Sequence, residues 1–269
     1  MDSNQGLYAA PMLYDILYTP GTAAEVTALE RVEARFARQP LADNRIWFEP
    51  ACGTGRYLRV AAGRGRRCLG FDIDTGQIDY ARRRTEKLSS RNQQYFLADM
   101  KKFMAEAAVA GLPNNSVDFA FNPVNSIRHL ESDRDMLAHL NQIGRILKPG
   151  AIYIVGISIT DYDWLMAEED LWEASRGKTK VSQLINFLPP EMGTRRHRIE
   201  TAISHLTVTR PRGQEHFDDT YDLRTYGADQ WQELIEQSTM LWGGSFDAWG
   251  KELKSRVLPY QLEVLVAPE

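Results

Sequence analysis

Apolar positions change their spacing several times along the chain, and each change marks an element. Between residues 22 and 38, Val26, Leu29, Val32 and Phe36 recur at helical spacing behind Thr22, a residue suited to capping a first turn, and Pro40 marks the end. From residue 45 the segments shorten and alternate. Arg45-Ile-Trp-Phe-Glu49 predicts a strand running into Pro50 and a glycine turn. A helix follows over 56–63, then a strand over 67–71 that ends in Asp72, then a helix over 75–88 with Ile78, Ala81 and Leu88 as its inner face. Residues 94–97 form a third strand ending at Asp99, 101–110 a helix and 112–116 a turn. A fourth strand over 117–121 leads into Asn122, and a helix over 133–147 is stopped by Lys148-Pro149-Gly150 before a fifth strand at 151–157. Strand–helix units repeated in this way imply right-handed crossovers and a parallel sheet covered on both faces.

Beyond residue 160 the pattern breaks. Residues 161–198 hold aromatic clusters and Pro189-Pro190 but little periodicity. Residues 199–209 and 215–223 predict two strands about Arg210-Pro-Arg-Gly213, 228–238 a helix and 261–266 a terminal strand. The expected architecture is α/β, one domain over 1–269. A helical segment at 1–40 and an insertion at 160–225, a β-hairpin and helical cap over the carboxyl edge of the sheet, elaborate it. No linker isolates the insertion.

Composition narrows the partners. The chain has 269 residues, 43% hydrophobic and 25% charged, with a net charge of −4. Duplex-binding surfaces are basic, and this balance is not. The densest basic run, Arg82-Arg83-Arg84 with Lys87, falls in an expected helix and reads as a solvated face before a phosphate patch. The only cysteines, Cys52 and Cys68, form no CxxC pair, so neither a disulfide framework nor a bound metal is expected, which suits a cytoplasmic location. The start, Met1-Asp2-Ser3-Asn4-Gln5, does not read as a secretory leader, and no apolar run approaches the ~20 residues of a membrane span.

The polar residues of interest end successive strands: Glu49, Asp72, Asp99 and Asn122. In an open parallel sheet that is where a ligand lies. In Glu49-Pro-Ala-Cys-Gly-Thr-Gly55 the missing Cβ atoms of Gly53 and Gly55 let backbone approach a ligand, and the next helix presents free N–H groups. Asp72 is placed to accept hydrogen bonds from ribose hydroxyls. Asp74 reads as a cap. Asp99 suits an adenine amino group with Met100 packed on the ring, or alternatively caps the next helix.

Together these residues resemble class I S-adenosylmethionine-dependent methyltransferases. Glu49 to Gly55 is similar to their first motif, Gly70-Phe-Asp-Ile-Asp74 to their second-strand acidic motif, and Leu97-Ala-Asp-Met100 to their adenine motif. Arg145-Ile-Leu-Lys-Pro-Gly150 resembles the turn before the fifth strand, with Ala151 in place of a second glycine. The resemblance covers residues 45–158 well and the C-terminal region loosely. It implies a Rossmann-like seven-stranded sheet, mostly parallel with the last strand antiparallel, and S-adenosylmethionine as cofactor. It places Glu49 near the methionine amino end, Asp72 on the ribose and Asp99 on the adenine, with Ala51, Gly53, Gly55, Ile73, Met100 and Asn122 completing the site.

Methyl transfer rests mainly on alignment of reactants, so it need leave no catalytic signature. Asn125 and His129 follow the fourth strand and are the catalytic candidates. His129 is either a base or a capping, solvated imidazole. Tyr14, beside Tyr8 and Tyr18, is either a pocket wall or packing. Arg224 and Tyr226 either orient the acceptor or form an ion pair and an apolar anchor. A small-molecule acceptor is expected. Asn122-Pro123-Val124-Asn125 invites comparison with the motif of amino-methyltransferases acting on nucleic acid or protein, but lacks its second proline and aromatic ring. An NAD-dependent oxidoreductase is a further alternative, although its third glycine is replaced by Leu58. A non-catalytic binder of the same cofactor is the last.

Overall fold

A computed structural model describes residues 6–37, 45–86, 92–254 and 260–269. After a single 3-10 turn at Leu7–Ala9 come helices α1 (Pro11–Tyr18) and α2 (Thr22–Phe36). The alternating region follows as β1 (Ile46–Pro50), α3 (Arg56–Gly63), β2 (Arg67–Asp72), α4 (Thr75–Glu86), β3 (Gln93–Leu97), α5 (Met104–Val109), β4 (Val117–Asn122), α6 (Asp133–Ile146) and β5 (Leu147–Ser158). Strands β6 (Glu168–Arg176), β7 (Thr179–Leu188), β8 (Ile199–Arg210) and β9 (Gly213–Arg224) then precede α7 (Ala228–Gln237), β10 (Leu241–Phe246) and β11 (Tyr260–Val266).

The main sheet has the order β10-β11-β5-β4-β1-β2-β3. Its first five strands in sequence pair in parallel, and β11 runs antiparallel to both β5 and β10. This is the Rossmann-like class I methyltransferase arrangement. Strand alternation sends neighbouring side chains to opposite cores. Trp47, Phe119 and Phe121 pack with α2, α3 and α4, whereas Phe48, Phe71 and Ala120 pack with α5, α6 and α7. Strand order reverses between β1 and β4, so a crevice opens where Pro50 and Asn122 end adjacent strands.

Several expectations are corrected. The insertion is a four-stranded antiparallel meander, β6-β7-β8-β9, with no helix in it, and residues 161–198 supply two of its strands. Gly21, in the left-handed region, occupies the N-cap of α2, while Thr22 sits inside the helix and donates its hydroxyl back to the carbonyl of Thr19 at 2.8 Å. Helix α5 is shorter than 101–110, because residues 99–102 close a turn of their own. Lys148-Pro149-Gly150 lies inside β5, since the chain is already extended at Leu147. Pro40, Lys87, Leu88 and the first five residues fall outside the described residues.

One face of the meander is apolar. Val181, Leu206 and Val208 pack on Leu7, Leu13, Ile16 and Leu17, so the N-terminal segment lies between the meander and the main domain. The turn Ser126–His129 at the end of β4 meets β9 from below through Arg128, whose Nε donates to the carbonyl of Arg224 at 2.9 Å. The meander therefore stands over the carboxyl ends of β4 and β5.

Candidate active site

The crevice begins at the turn after β1. Ala51, Gly53 and Gly55 all adopt left-handed backbone conformations. At Gly55 a Cβ would fall 2.5 Å from the ring of Tyr95, so only glycine fits. Helix α3 starts immediately afterwards, with Gly55 at its N-cap and no side chain capping it. Nearby, Gly70 leaves room on β2 for Leu58, whose Cδ1 lies 2.5 Å from where a Cβ would stand. The close helix–strand contact that dinucleotide sites make with a helical glycine is made here by a glycine on the strand.

Glu49 is 3% exposed, and its Oε2 has no hydrogen-bond partner among the described residues. Burial pushes its carboxyl well above the ordinary range; Arg56 counters this, and Asp72 adds to it. A buried carboxylate with a free oxygen is prepared for a cation. Asp72 accepts from the backbone N–H of Gly53 at 2.8 Å and of Asp74 at 3.0 Å, which fixes its orientation. Burial raises its pKa, partly offset by those bonds. Each carboxylate oxygen has two lone pairs, so capacity for ligand hydroxyls remains. Ile73, next along, is 69% exposed, an open apolar face beside the crevice.

Asp99 accepts from the N–H of Lys101 at 2.8 Å and so caps the turn before α5 rather than the helix, whose N-cap is Phe103. Met100 is half-buried against the core, and its carbonyl meets Nδ1 of His139 at 3.1 Å. Asn122 donates to the carbonyl of Pro50 at 2.8 Å and joins β4 to β1 at the switch point, while its Oδ1 is buried without a partner among the described residues.

Tyr14 belongs beside these groups. Its Cε1 lies 3.7 Å from where a Cβ on Gly53 would stand, and its ring packs on Tyr8 and Tyr18 at centroid distances of 5.9 and 4.8 Å. Burial pushes its hydroxyl up to about 12. A cleft of about 20 Å³ among Tyr14, Glu49, Arg56, Tyr57 and Val124 is no larger than one water-sized sphere.

The loop after β4 is strained. Val124 and Asn125 both have positive φ, at 62° and 64°, a region a β-branched residue rarely enters. The loop crosses β5 at Gly156, where a Cβ would lie 2.8 Å from the Val124 nitrogen. Asn125 is committed to holding this shape: its amide donates to Ser158 Oγ at 2.9 Å, and its Oδ1 accepts from Ser158 N at 2.7 Å. It serves as a staple between the loop and β5. His129 ends the loop against Tyr8 and Tyr221, both at ring-centroid distances of 5.7 Å, with Nε2 3.5 Å from the Tyr8 hydroxyl. Burial, and then the Arg128 guanidinium, hold its pKa below the ordinary imidazole value, so it is neutral near pH 7.

Arg224 and Tyr226 line neither the cleft beside Tyr14 nor the larger cavity of the molecule. Arg224 pairs with Asp133 at 3.0 Å, and Tyr226 is fully buried against Trp231. The large cavity, about 760 Å³, lies instead between the end of β5, the meander and the start of α7. Asp161, Asp163, Glu168, Asp170 and Asp229 line it without a salt-bridge partner among the described residues. Arg128, the cationic group in the described lining, is paired with Glu200 at 2.8 Å. Periodicity could not have shown Arg128, Tyr221 or Ser158 as neighbours, because they come together only when the meander folds back. Among the described residues no helix is long and apolar enough to cross a membrane, and no group of three metal-ligating side chains occurs.

The fold is that of class I, Rossmann-like methyltransferases. Residues 48–150, from β1 into β5, match the family model described as Methyltransferase domain. The malonyl-[acyl-carrier protein] O-methyltransferase of Serratia marcescens is 25% identical over 142 residues, 53% of this chain and 48% of that protein, so the match spans about half the length of that relative. Among solved structures, Streptomyces venezuelae DesVI superposes with a TM-score of 0.72 at 17% identity, covering 96% of this chain and 98% of that one. Micromonospora echinaspora CalS10, an amino pentose methyltransferase bound to S-adenosylmethionine, gives 0.68 at 15% identity over 99% of each chain.

Proposed function

We propose that the chain transfers a methyl group from S-adenosylmethionine to the amine of a small molecule. The observation that carries the cofactor assignment is the unpartnered, buried Oε2 of Glu49 beside a glycine turn whose Asp72 is oriented by two backbone bonds. When bound, the cofactor supplies an already activated methyl group. Glu49 meets its cationic end, Asp72 and Asp99 accept from its sugar and base, and Ile73 and Met100 offer apolar cover. Asn122 keeps the ends of β1 and β4 together beneath it.

The acceptor enters through the cavity beyond β5. Its uncompensated carboxylates give a negative potential that favours a protonated amine over a phosphorylated compound. CalS10, a structural neighbour, is named for an amino sugar. An amine must lose a proton to attack; the unpaired carboxylates of the cavity can take it, and neutral His129, held against Tyr8 and Tyr221 behind Arg128, is the further candidate. The meander and the N-terminal segment exclude water. An acceptor in nucleic acid is disfavoured by the acidic lining, and NAD by the absence of a helical glycine at Leu58.

Calorimetry with S-adenosylhomocysteine tests the cofactor assignment. Binding is expected for the wild type, with none for NAD. Asp72→Ala is expected to weaken binding by roughly ten- to a hundredfold, the worth of hydrogen bonds to a charged group. Retention of affinity within twofold refutes the ribose role. Incubating labelled cofactor with pools of amines and of hydroxy compounds then reads the acceptor class, and labelling confined to hydroxyl groups refutes the amine.

A further inference from the structure

Asp15 is fully buried on α1, lies at no strand end, and gathers groups from three parts of the molecule. Arg59 of α3 donates one Nη to Asp15 Oδ1 and the other to the carbonyl of Thr54, so a single guanidinium holds α1 and the glycine turn together. Tyr80 of α4 donates its hydroxyl to Oδ2 at 2.9 Å. Arg176, at the end of β6, pairs with Oδ2 at 2.9 Å and donates to the Asp15 carbonyl at 3.0 Å. Arg84 stands 3.8 Å away. Burial alone would raise the Asp15 carboxyl, but Arg59, Tyr80 and Arg176 outweigh it and hold the group below its ordinary value. It is therefore an anion at the junction of α1, the core and the meander.

Tyr14 is the preceding residue, and its ring stands over Gly53. One helical turn further on, Tyr18 donates to Gln183 of β7 at 2.7 Å. The rotation of α1, and with it the place of Tyr14, is thus held by the Tyr18–Gln183 bond and by the cluster of bonds centred on Asp15. We propose that Asp15 is a positioning residue for the cofactor site: it fixes Tyr14 over the glycine turn through Arg59 and ties that placement to the meander through Arg176. This rests on the cofactor reading given above.

The test is a double-mutant cycle on S-adenosylhomocysteine affinity, with amide exchange and unfolding temperature recorded for each protein. Asp15→Asn and Tyr14→Ala are each expected to weaken binding about tenfold, the equivalent of one aromatic contact. The double variant is expected to bind no worse than Tyr14→Ala, because Asp15 acts through that ring. Exchange should quicken over residues 11–18 and stay unchanged in β1, β2 and β4. A product of the two effects, about a hundredfold, marks Asp15 as a general stabiliser and overturns the proposal, as does wild-type affinity in Asp15→Asn. If Asp15→Asn does not fold, Arg176→Gln carries the test, since it leaves Arg59 in place. It is expected to weaken binding about threefold, an effect that vanishes when Tyr14 is already Ala; an equal effect in both backgrounds overturns the proposal. Failure of the wild type to bind S-adenosylhomocysteine would refute the cofactor reading, whereas wild-type binding with unaltered variants refutes only the role of Asp15.

Discussion

Replacing Glu49 by Gln is expected to move stability and ligand affinity in opposite directions. The side chain is 3% exposed and Oε2 has no partner among the described residues, so ionisation leaves a charged oxygen unsolvated in the free protein. Its pKa is raised, first by burial and then by Asp72, against the pull of Arg56. Between the ordinary carboxylate value and the raised one, the folded chain holds a proton that the unfolded chain releases. Stability therefore falls as pH rises through that window. Gln removes the charge with little change of shape. The gain expected at pH 7.5 is about 1–3 kcal/mol, the penalty of one unsatisfied buried group. At roughly 2–4 °C per kcal/mol, the free protein should melt several degrees higher. With S-adenosylhomocysteine the sign reverses. A charge-assisted bond worth about 1.5–3 kcal/mol is lost, which is roughly ten- to a hundredfold in Kd. Wild-type binding should also release a proton, because a cation beside Glu49 lowers its pKa. Calorimetry in buffers of different ionisation enthalpy reads that proton, and scanning calorimetry without ligand reads the stability. A Glu49→Gln variant that is both less stable and equally tight would refute the assignment of Glu49 as a strained carboxylate awaiting a cation.

Two further outcomes concern the scaffold. His139 is buried between the Met100 carbonyl and the Tyr153 hydroxyl, and burial lowers its pKa from 6.5 to about 4, so the unfolded chain takes up a proton first and stability is lost as pH falls through that range. The loss should approach about 3 kcal/mol by pH 4, and His139→Gln should flatten urea midpoints plotted against pH; an unchanged slope would show that another group dominates. Gly156→Ala sets a methyl 2.8 Å from the Val124 nitrogen and 2.9 Å from the Pro123 Cα, backbone atoms with little freedom to move. A cost of about 1–3 kcal/mol is expected by thermal unfolding, and an unaltered melting temperature would mean that the loop is not held tightly there.

The parallel half of the molecule was legible because each strand carries alternate side chains into two separate cores, as Trp47 and Phe48 do. The strand-end carboxylates were legible because topology fixes where they gather. Strand β6 was not, since almost all of its residues face solvent and no apolar alternation is written into it. In β7 the inward series Val181, Gln183, Ile185 is broken by a glutamine that pairs with Ser204 and Tyr18 instead of packing. Strand β10 carries a register shift between Trp242 and Gly244, which spoils its period. For Arg224 and Tyr226 the sequence left two readings, acceptor contacts or an ion pair and an apolar anchor, and could not choose between them. Asp133 and Trp231, their actual partners, are distant from them or carry no polar mark in sequence. Asp15 had no local signature, because Arg59, Tyr80 and Arg176 reach it from three separate stretches of chain.

Helix α1 lies far in sequence from the strands it packs on. Its apolar residues Leu13, Ile16 and Leu17 rest on Val181, Leu206 and Val208 of β7 and β8. Eight residues cannot hold helical form unaided. The apolar face of α1 is therefore covered only once strands far along the chain have folded against it, a contact of high sequence separation. Loss of β7 and β8 would accordingly uncover Leu13, Ile16 and Leu17 together, and the helix would keep only its polar anchors on α3 and α4.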